Sequence, residues 1–244
     1  QGKAMVEAAL EINHWCAGEV MYQGTDMRTG SALEIYRSGV GRCGEEAVFV
    51  VNVMRSAGIP ARPVYVPRWS HCDDNHAWVE VWCDGDWHYL GACEPEAVLD
   101  KGWFTAAASR AMIIHSRMFS DYVENEEIVT HEGLTTVCNE LSRYADTQTF
   151  SVTVTENGQP LSGVTLRIEL LNYSEFFPIS TLVTDENGKA SITLGLGDLH
   201  IHALKDGRFI TRLVDTRKEP SVQIDFTNAS ACQTTELDGA EYDV

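Results

Sequence analysis

The sequence predicts an α+β unit followed by an all-β sandwich. Three observations carry this. GRCGEEAVFVVNVMRSAGIP reads as one helix with sharp ends, and HAWVEVW then alternates with period two up to an Asp-Gly turn. From about Thr147 the texture changes to short β-rich runs separated by turn residues. The boundaries expected are 1–146 for the mixed unit, 147–228 for the sandwich and 229–244 for an acidic tail or linker.

In chain order, AMVEAALEINHWC (4–16) places Met5, Ala8, Ala9, Ile12 and Trp15 or Cys16 on one helical face, the pattern of a packing helix. Residues 17–38 are loop-rich, with Ser31 able to cap a short helix that Gly39 ends. In the next helix Ala47, Val48, Val51 and Met54 recur at helical spacing, Gly58 suits the left-handed cap and Pro60 forbids continuation. Glu45 and Glu46 lie in its first turn, where the macrodipole favours them. ARPVYV is a buried strand and PRWSHCDD a surface loop. Asp84-Gly85 is a two-residue hairpin signal that sets Cys83 opposite Asp86, Trp82 opposite Trp87 and, if the ladder continues, His76 opposite Cys93. SRAMIIHSRMF reads as a further strand of the same sheet, and ENEEIVTHEG as an acidic loop. Beyond Thr147, seven strands are expected. TDENG is a turn ending at Gly188 rather than a calcium loop, and the aromatic NYSEFFP segment packs on the first unit or walls its cleft.

Composition narrows the function. The chain has 244 residues and a formal charge of −18, and both halves are acidic: 11 basic against 22 acidic groups in 1–146, and 7 against 14 in 147–244. That argues against nucleic acid as a partner, because phosphate binding needs clustered Lys and Arg. No apolar run approaches the roughly 20 residues of a membrane helix. The seven cysteines are scattered without a C-x-x-C pair, which fits neither a disulfide framework nor a zinc ribbon. No cofactor and no metal site are expected, and His200 and His202, which share a strand face, are read as structural. No signal peptide is visible, but a chain that opens on Gln1 decides nothing about location.

The candidate chemistry lies between Gly39 and Glu96. Cys43, flanked by Gly41 and Gly44, starts a helix, where free N–H groups stabilise a thiolate and can cradle an oxyanion. His76 heads the alternating strand and is the candidate base. Glu94 returns towards it as the candidate orienting acid. Trp78 and Trp69 offer stacking faces for substrate, and Gln23 (or Trp15) a side chain for an oxyanion.

GxGxCxExA with AGIPAR, then HAWVEVW and a DG hairpin, resembles the transglutaminase-like superfamily, which belongs with the papain-like cysteine enzymes. The resemblance implies a helix bearing Cys43 packed on an antiparallel sheet, Cys43 as nucleophile and His76 as base. The family's Asp-Pro falls by simple counting on Gly91, which can orient nothing. A bulge at GAC would bring Glu94-Pro95 into that place; otherwise the acid comes from Glu96, Asp100 or Asp74, or is missing. GACEP also resembles the DxCE segment of members that act on glycopeptides. ENGQPLSGVTL with TDENGKASITL resembles the transthyretin-like or carboxypeptidase-regulatory-like modules of extracellular bacterial proteins, which implies an extracytoplasmic location and neighbouring domains in a longer chain. The function expected is a cysteine enzyme acting on amide bonds of peptides, proteins or glycopeptides through a thioester, mainly hydrolytic. The alternative is an inactive domain of the same kind that binds glycan or peptide at the cell surface.

Overall fold

The computed structural model describes residues 4–25, 28–120 and 126–232. Helix α1 (Met5–Glu19), strand β1 (Met21–Tyr22), α2 (Ala32–Ser38), β2 (Val40–Gly41) and α3 (Cys43–Ser56) precede the main sheet. That sheet comprises β3 (Ala61–Val66), β4 (His76–Cys83) and β5 (Asp86–Leu90), then, after the short α4 (Thr105–Ala108), β6 (His115–Met118), β7 (Glu127–Glu132) and β8 (Thr135–Asn139). Its order is β5-β4-β3-β6-β8-β7, antiparallel throughout. Helix α3 buries Ala47, Phe49, Val50, Val51 and Met54 against Ala61, Ala77, Val79 and Val81, so the start of the helix is pinned over the start of β4. Gly58, at φ 84°, ends the helix.

The hairpin has the expected register. Cys83 pairs with Asp86, Trp82 with Trp87 and Val79 with Leu90, and Asp84 and Gly85 both adopt positive φ, the two-residue turn that matches strand twist. The ladder stops at Leu90. His76 therefore does not face Cys93; residues 91–94 instead form a tight turn in which Gly91 bridges Glu94 and Cys93 takes φ 56°.

Two other expectations fail for physical reasons. Residues 111–114 are not strand, because all four are buried between two cores and cannot show a solvated face: Met112 and Ile113 join the second unit's core while Ala111 and Ile114 join the first's. The acidic 124–133 stretch is no loop over 127–132, which is β7. There Glu127 receives hydrogen bonds from Asn139 and from the Thr193 backbone, so its charge serves the sheet edge.

The remainder comprises β9 (Thr147–Glu156), β10 (Gln159–Pro160), β11 (Thr165–Asn172), β12 (Glu175–Val183), β13 (Lys189–Gly195), β14 (Asp198–Lys205), β15 (Arg208–Asp215), β16 (Ser221–Asp225) and β17 (Ser230–Ala231). These form one sheet of β10-β9-β13 with β16 on β9, and another of order β12-β11-β14-β15-β17. Nine strands are present among the described residues where seven are expected; β10 and β17 are two-residue pieces. Phe150, Val152, Leu166, Ile168, Ile192 and Ile201 fill the core between them. Asp185 turns its carboxylate on the Asn187 and Lys189 amides and Gly188 takes φ 70°, as a turn requires. The expected acidic tail lies, from residue 233, outside the described residues.

The NYSEFFP segment packs on the first unit. Asn172 Nδ2 donates to the carbonyls of Trp69 (2.9 Å) and Cys72 (2.7 Å), the Tyr173 amide donates to Asp73, and Arg68 lies 3.9 Å over the Phe177 ring. These contacts fix the loop that leads into His76. Asn172→Ala leaves two carbonyls without their donor and is expected to cost about 1–3 kcal/mol in urea unfolding. A loss below about 0.5 kcal/mol would show that the loop is held by other means.

Candidate active site

Cys43 is the first residue of α3 and is only half-exposed. The backbone N–H groups of Gly44 and Ala77 favour its thiolate form, and Cys43 packs on the cluster that contains Ala77. His76, the residue before Ala77, opens β4, and Cys43 opens α3, which packs on that strand. Glu45 organises the approach: it accepts hydrogen bonds from the Arg42 amide (3.1 Å), Thr25 Oγ1 (2.6 Å) and the Gly30 amide (3.1 Å), which ties the 25–30 loop to the helix start. Strand β1 runs parallel to β2, and the Gln23 amide donates to Gly41 O at 2.9 Å. That places exposed Gln23 alongside the glycine two residues before Cys43.

The electrostatics describe a neutral pair. Burial pushes the Cys43 thiol up, partly offset by the Ala77 and Gly44 amides. Burial also holds the His76 imidazole down to about 4, with the Asp74 charge opposing. His76 Nε2 is buried with no hydrogen-bond partner among the described residues. At neutral pH the resting site is thus thiol and imidazole, not thiolate and imidazolium.

Among the described residues no carboxylate hydrogen-bonds His76. Glu96 pairs with Lys101, and Asp100 is taken by His88 Nδ1 and the Tyr89 amide. Asp74 caps the Asn75 amide and acts on His76 through space only. Glu94 sits where a side chain at 91 would go: a Cβ added to Gly91 would meet the Glu94 Cβ at 2.9 Å and its carboxylate closer still. The 91–94 turn, rather than a bulge, achieves this, and Asn13 on α1 clamps it by donating to Gly91 O (2.9 Å) and accepting from the Cys93 amide (3.0 Å). Yet both Glu94 oxygens accept from the Trp103 indole at 3.0 Å, and that indole packs 4.7 Å from the imidazole. Glu94 thus touches His76 through Trp103, not as its direct partner.

Trp78 and Trp69 are corrected as substrate-binding residues. Both are buried; Trp78 stacks on Phe104 and donates to Tyr144 Oη, so neither ring can meet a ligand. Trp15 packs on Tyr36 and Phe49. Sequence reasoning passed over Asn13, a polar residue at i+4 from Ala9 on an otherwise apolar stripe, which was the available signal. It also read Glu46 as a first-turn charge only, although Glu46 is buried.

Residues 1–92 match the family model described as the transglutaminase-like superfamily. These residues are transglutaminase-like. The match takes in Cys43 and His76 and ends at Ala92, before Glu94. Solved structures that align include a proposed cysteine protease from Cytophaga hutchinsonii (19% identity, 54% of this chain and 51% of that one, TM-score 0.32). Red sea bream transglutaminase also aligns (12% identity, 86% and 53%, TM-score 0.38). The chain spans about half the length of each, and at these scores neither likeness bears on activity. A search of curated proteins found no match. No helix among the described residues is long and apolar enough to cross a membrane.

Two buried histidines, His76 and His115, set a pH dependence. His115, packed on Tyr65, is held down to about 3 by burial, and His76 to about 4. An unfolded histidine titrates near 6.5, so below that pH the unfolded chain gains protons that the native chain refuses, and stability falls as pH drops from 6.5 towards 4. Glu46, raised by burial to about 8, works in the opposite direction. The readout is therefore a difference: between pH 7 and pH 5, His115→Phe should lose about 2 kcal/mol less than wild type in urea unfolding. Equal losses would mean that His115 titrates freely in the native state.

Proposed function

We propose that this chain is a cysteine enzyme that attacks amide bonds of peptides or glycopeptides through a thioester on Cys43, with hydrolysis the main outcome. The observation that supports the reading is the packing of Cys43, first residue of α3, against the core cluster that contains Ala77, the neighbour of His76 at the start of β4. Residues 1–146 form the catalytic unit in this reading. The second unit's resemblance to modules of extracellular bacterial proteins suggests an extracytoplasmic site of action.

The chemistry follows from a neutral pair. When a substrate carbonyl docks, His76 takes the Cys43 proton as the sulfur attacks, so charge develops only in the transition state. Backbone N–H groups at the helix start, helped by Gln23, receive the oxyanion. His76 then passes its proton to the leaving nitrogen, and water, deprotonated by the same imidazole, opens the thioester. Trp103, held by Glu94, keeps the imidazole from swinging away; Glu94 is a positioning residue rather than a triad acid.

Ammonia or peptide release from a panel of peptide and glycopeptide amides tests this. Cys43→Ala should abolish turnover, and His76→Ala should lower kcat/KM about 100- to 10,000-fold. Because the imidazole must be neutral to accept a proton, the acid limb of kcat/KM should lie near pH 4 instead of 6.5. Full activity in Cys43→Ala, or none from wild type on any panel member, would sink the reading.

The substituted acid gives a second test. Gly91→Asp alone drives a side chain into Glu94 and should reduce kcat/KM. The double variant Gly91→Asp/Glu94→Gly frees that space and should recover it, with an acid limb shifted upwards as the new carboxylate favours imidazolium. An unmoved limb in the double variant would show that position 91 does not reach His76.

A further inference from the structure

A cavity beside the reactive pair is left unused by this mechanism. It encloses about 440 Å³ between the end of α1, the β1–β2 ladder and the 91–94 turn, and its wall includes Glu19, Tyr22, Glu46, Cys93 and Glu94 but no Lys or Arg. Glu46 is only 4% exposed, and what remains accessible of it lines this cavity. Its neighbour Glu45, by contrast, is fully engaged in capping α3. Glu46 lies three residues after Cys43, about 4.5 Å further along the helix axis. Tyr22, on β1, also lines the cavity.

We propose that this cavity takes a primary ammonium group carried by the acyl-donor substrate, close to the amide that Cys43 attacks, with Glu46 and Glu94 as its counter-ions. The proposal rests on the thioester reading of Cys43. His76 is not among the residues that line the cavity. The ammonium is a binding handle and not the attacking nucleophile. Its arrival reverses the local balance of charge. Burial, with the nearby Glu94 carboxylate, pushes Glu46 up to about 8, so it is mostly protonated at neutral pH; a cation makes the ionised form the favoured one. The ammonium keeps its three hydrogens, and the proton that leaves is that of Glu46.

Calorimetry on the Cys43→Ala chain tests this without turnover, using Nα-acetyl-lysine methylamide and its uncharged counterpart Nα-acetyl-norleucine methylamide. The lysine derivative should bind about tenfold or more tightly, the size expected of a buried charged hydrogen bond. In buffers of different ionisation heat it should release nearly one proton at pH 7 and almost none at pH 9.5. Glu46→Gln, which keeps the shape of the neutral carboxyl, should abolish both the preference and the proton release. Equal binding of the norleucine compound overturns the proposal. So does proton release unchanged at pH 9.5, which is read on Cys43→Ala alone and needs no second variant to fold. If wild type turns over amides and the lysine derivative shows no preference, the cavity assignment fails and Cys43 stands. Preferential binding without any turnover keeps the cavity and removes the enzyme.

Discussion

Two element ends meet at one sulfur, and the rest of the first unit is arranged to keep them there. The first turn of α3 must lie over the first residue of β4, which is possible only because Ala47, Val50, Val51 and Met54 seat the helix on Ala77, Val79 and Val81. Small residues at Ala47 and Ala77 let the backbones approach, and the cap made by Glu45 stops the helix start from fraying. The same burial raises the thiol and lowers the imidazole, so proximity is obtained at the expense of a preformed ion pair.

Much of this was legible in the chain. The ends of α3 and the 83/86 register follow from Gly58, Pro60 and Asp84-Gly85, residues whose backbone preferences act locally. What lay beyond reach was everything decided by distant partners. Alternation could not show that β5 stops at Leu90, because the stop is imposed by Asn13, about eighty residues earlier, gripping the 91–94 turn. Nor could composition show that Trp78 and Trp69 are interior, since a tryptophan in a strand suits a core and a binding face equally. The 111–114 stretch misled for a related reason: an apolar connection buried between two cores looks, in sequence, like a buried strand.

The third acid shows how one carboxylate can take another's place without taking its bonds. Glu94 occupies the space beside Gly91, yet its hydrogen bonds go to Trp103, and the indole ring lies between it and the imidazole. A glutamate three residues on has a longer arm and arrives from a turn, so it fills the volume from another direction. Packing against an aromatic edge then replaces a direct hydrogen bond as the restraint on the ring.

The grip of Asn172 on the Trp69 and Cys72 carbonyls has a bearing on inheritance. Met112, Ile113, Val129 and Val137 complete a core whose other members all come from beyond residue 149. A gene-fusion event that exchanged the trailing half for an unrelated sandwich would strip that shared core and release the segment leading to the histidine. The shared core makes the folding of each half depend on the presence of the other.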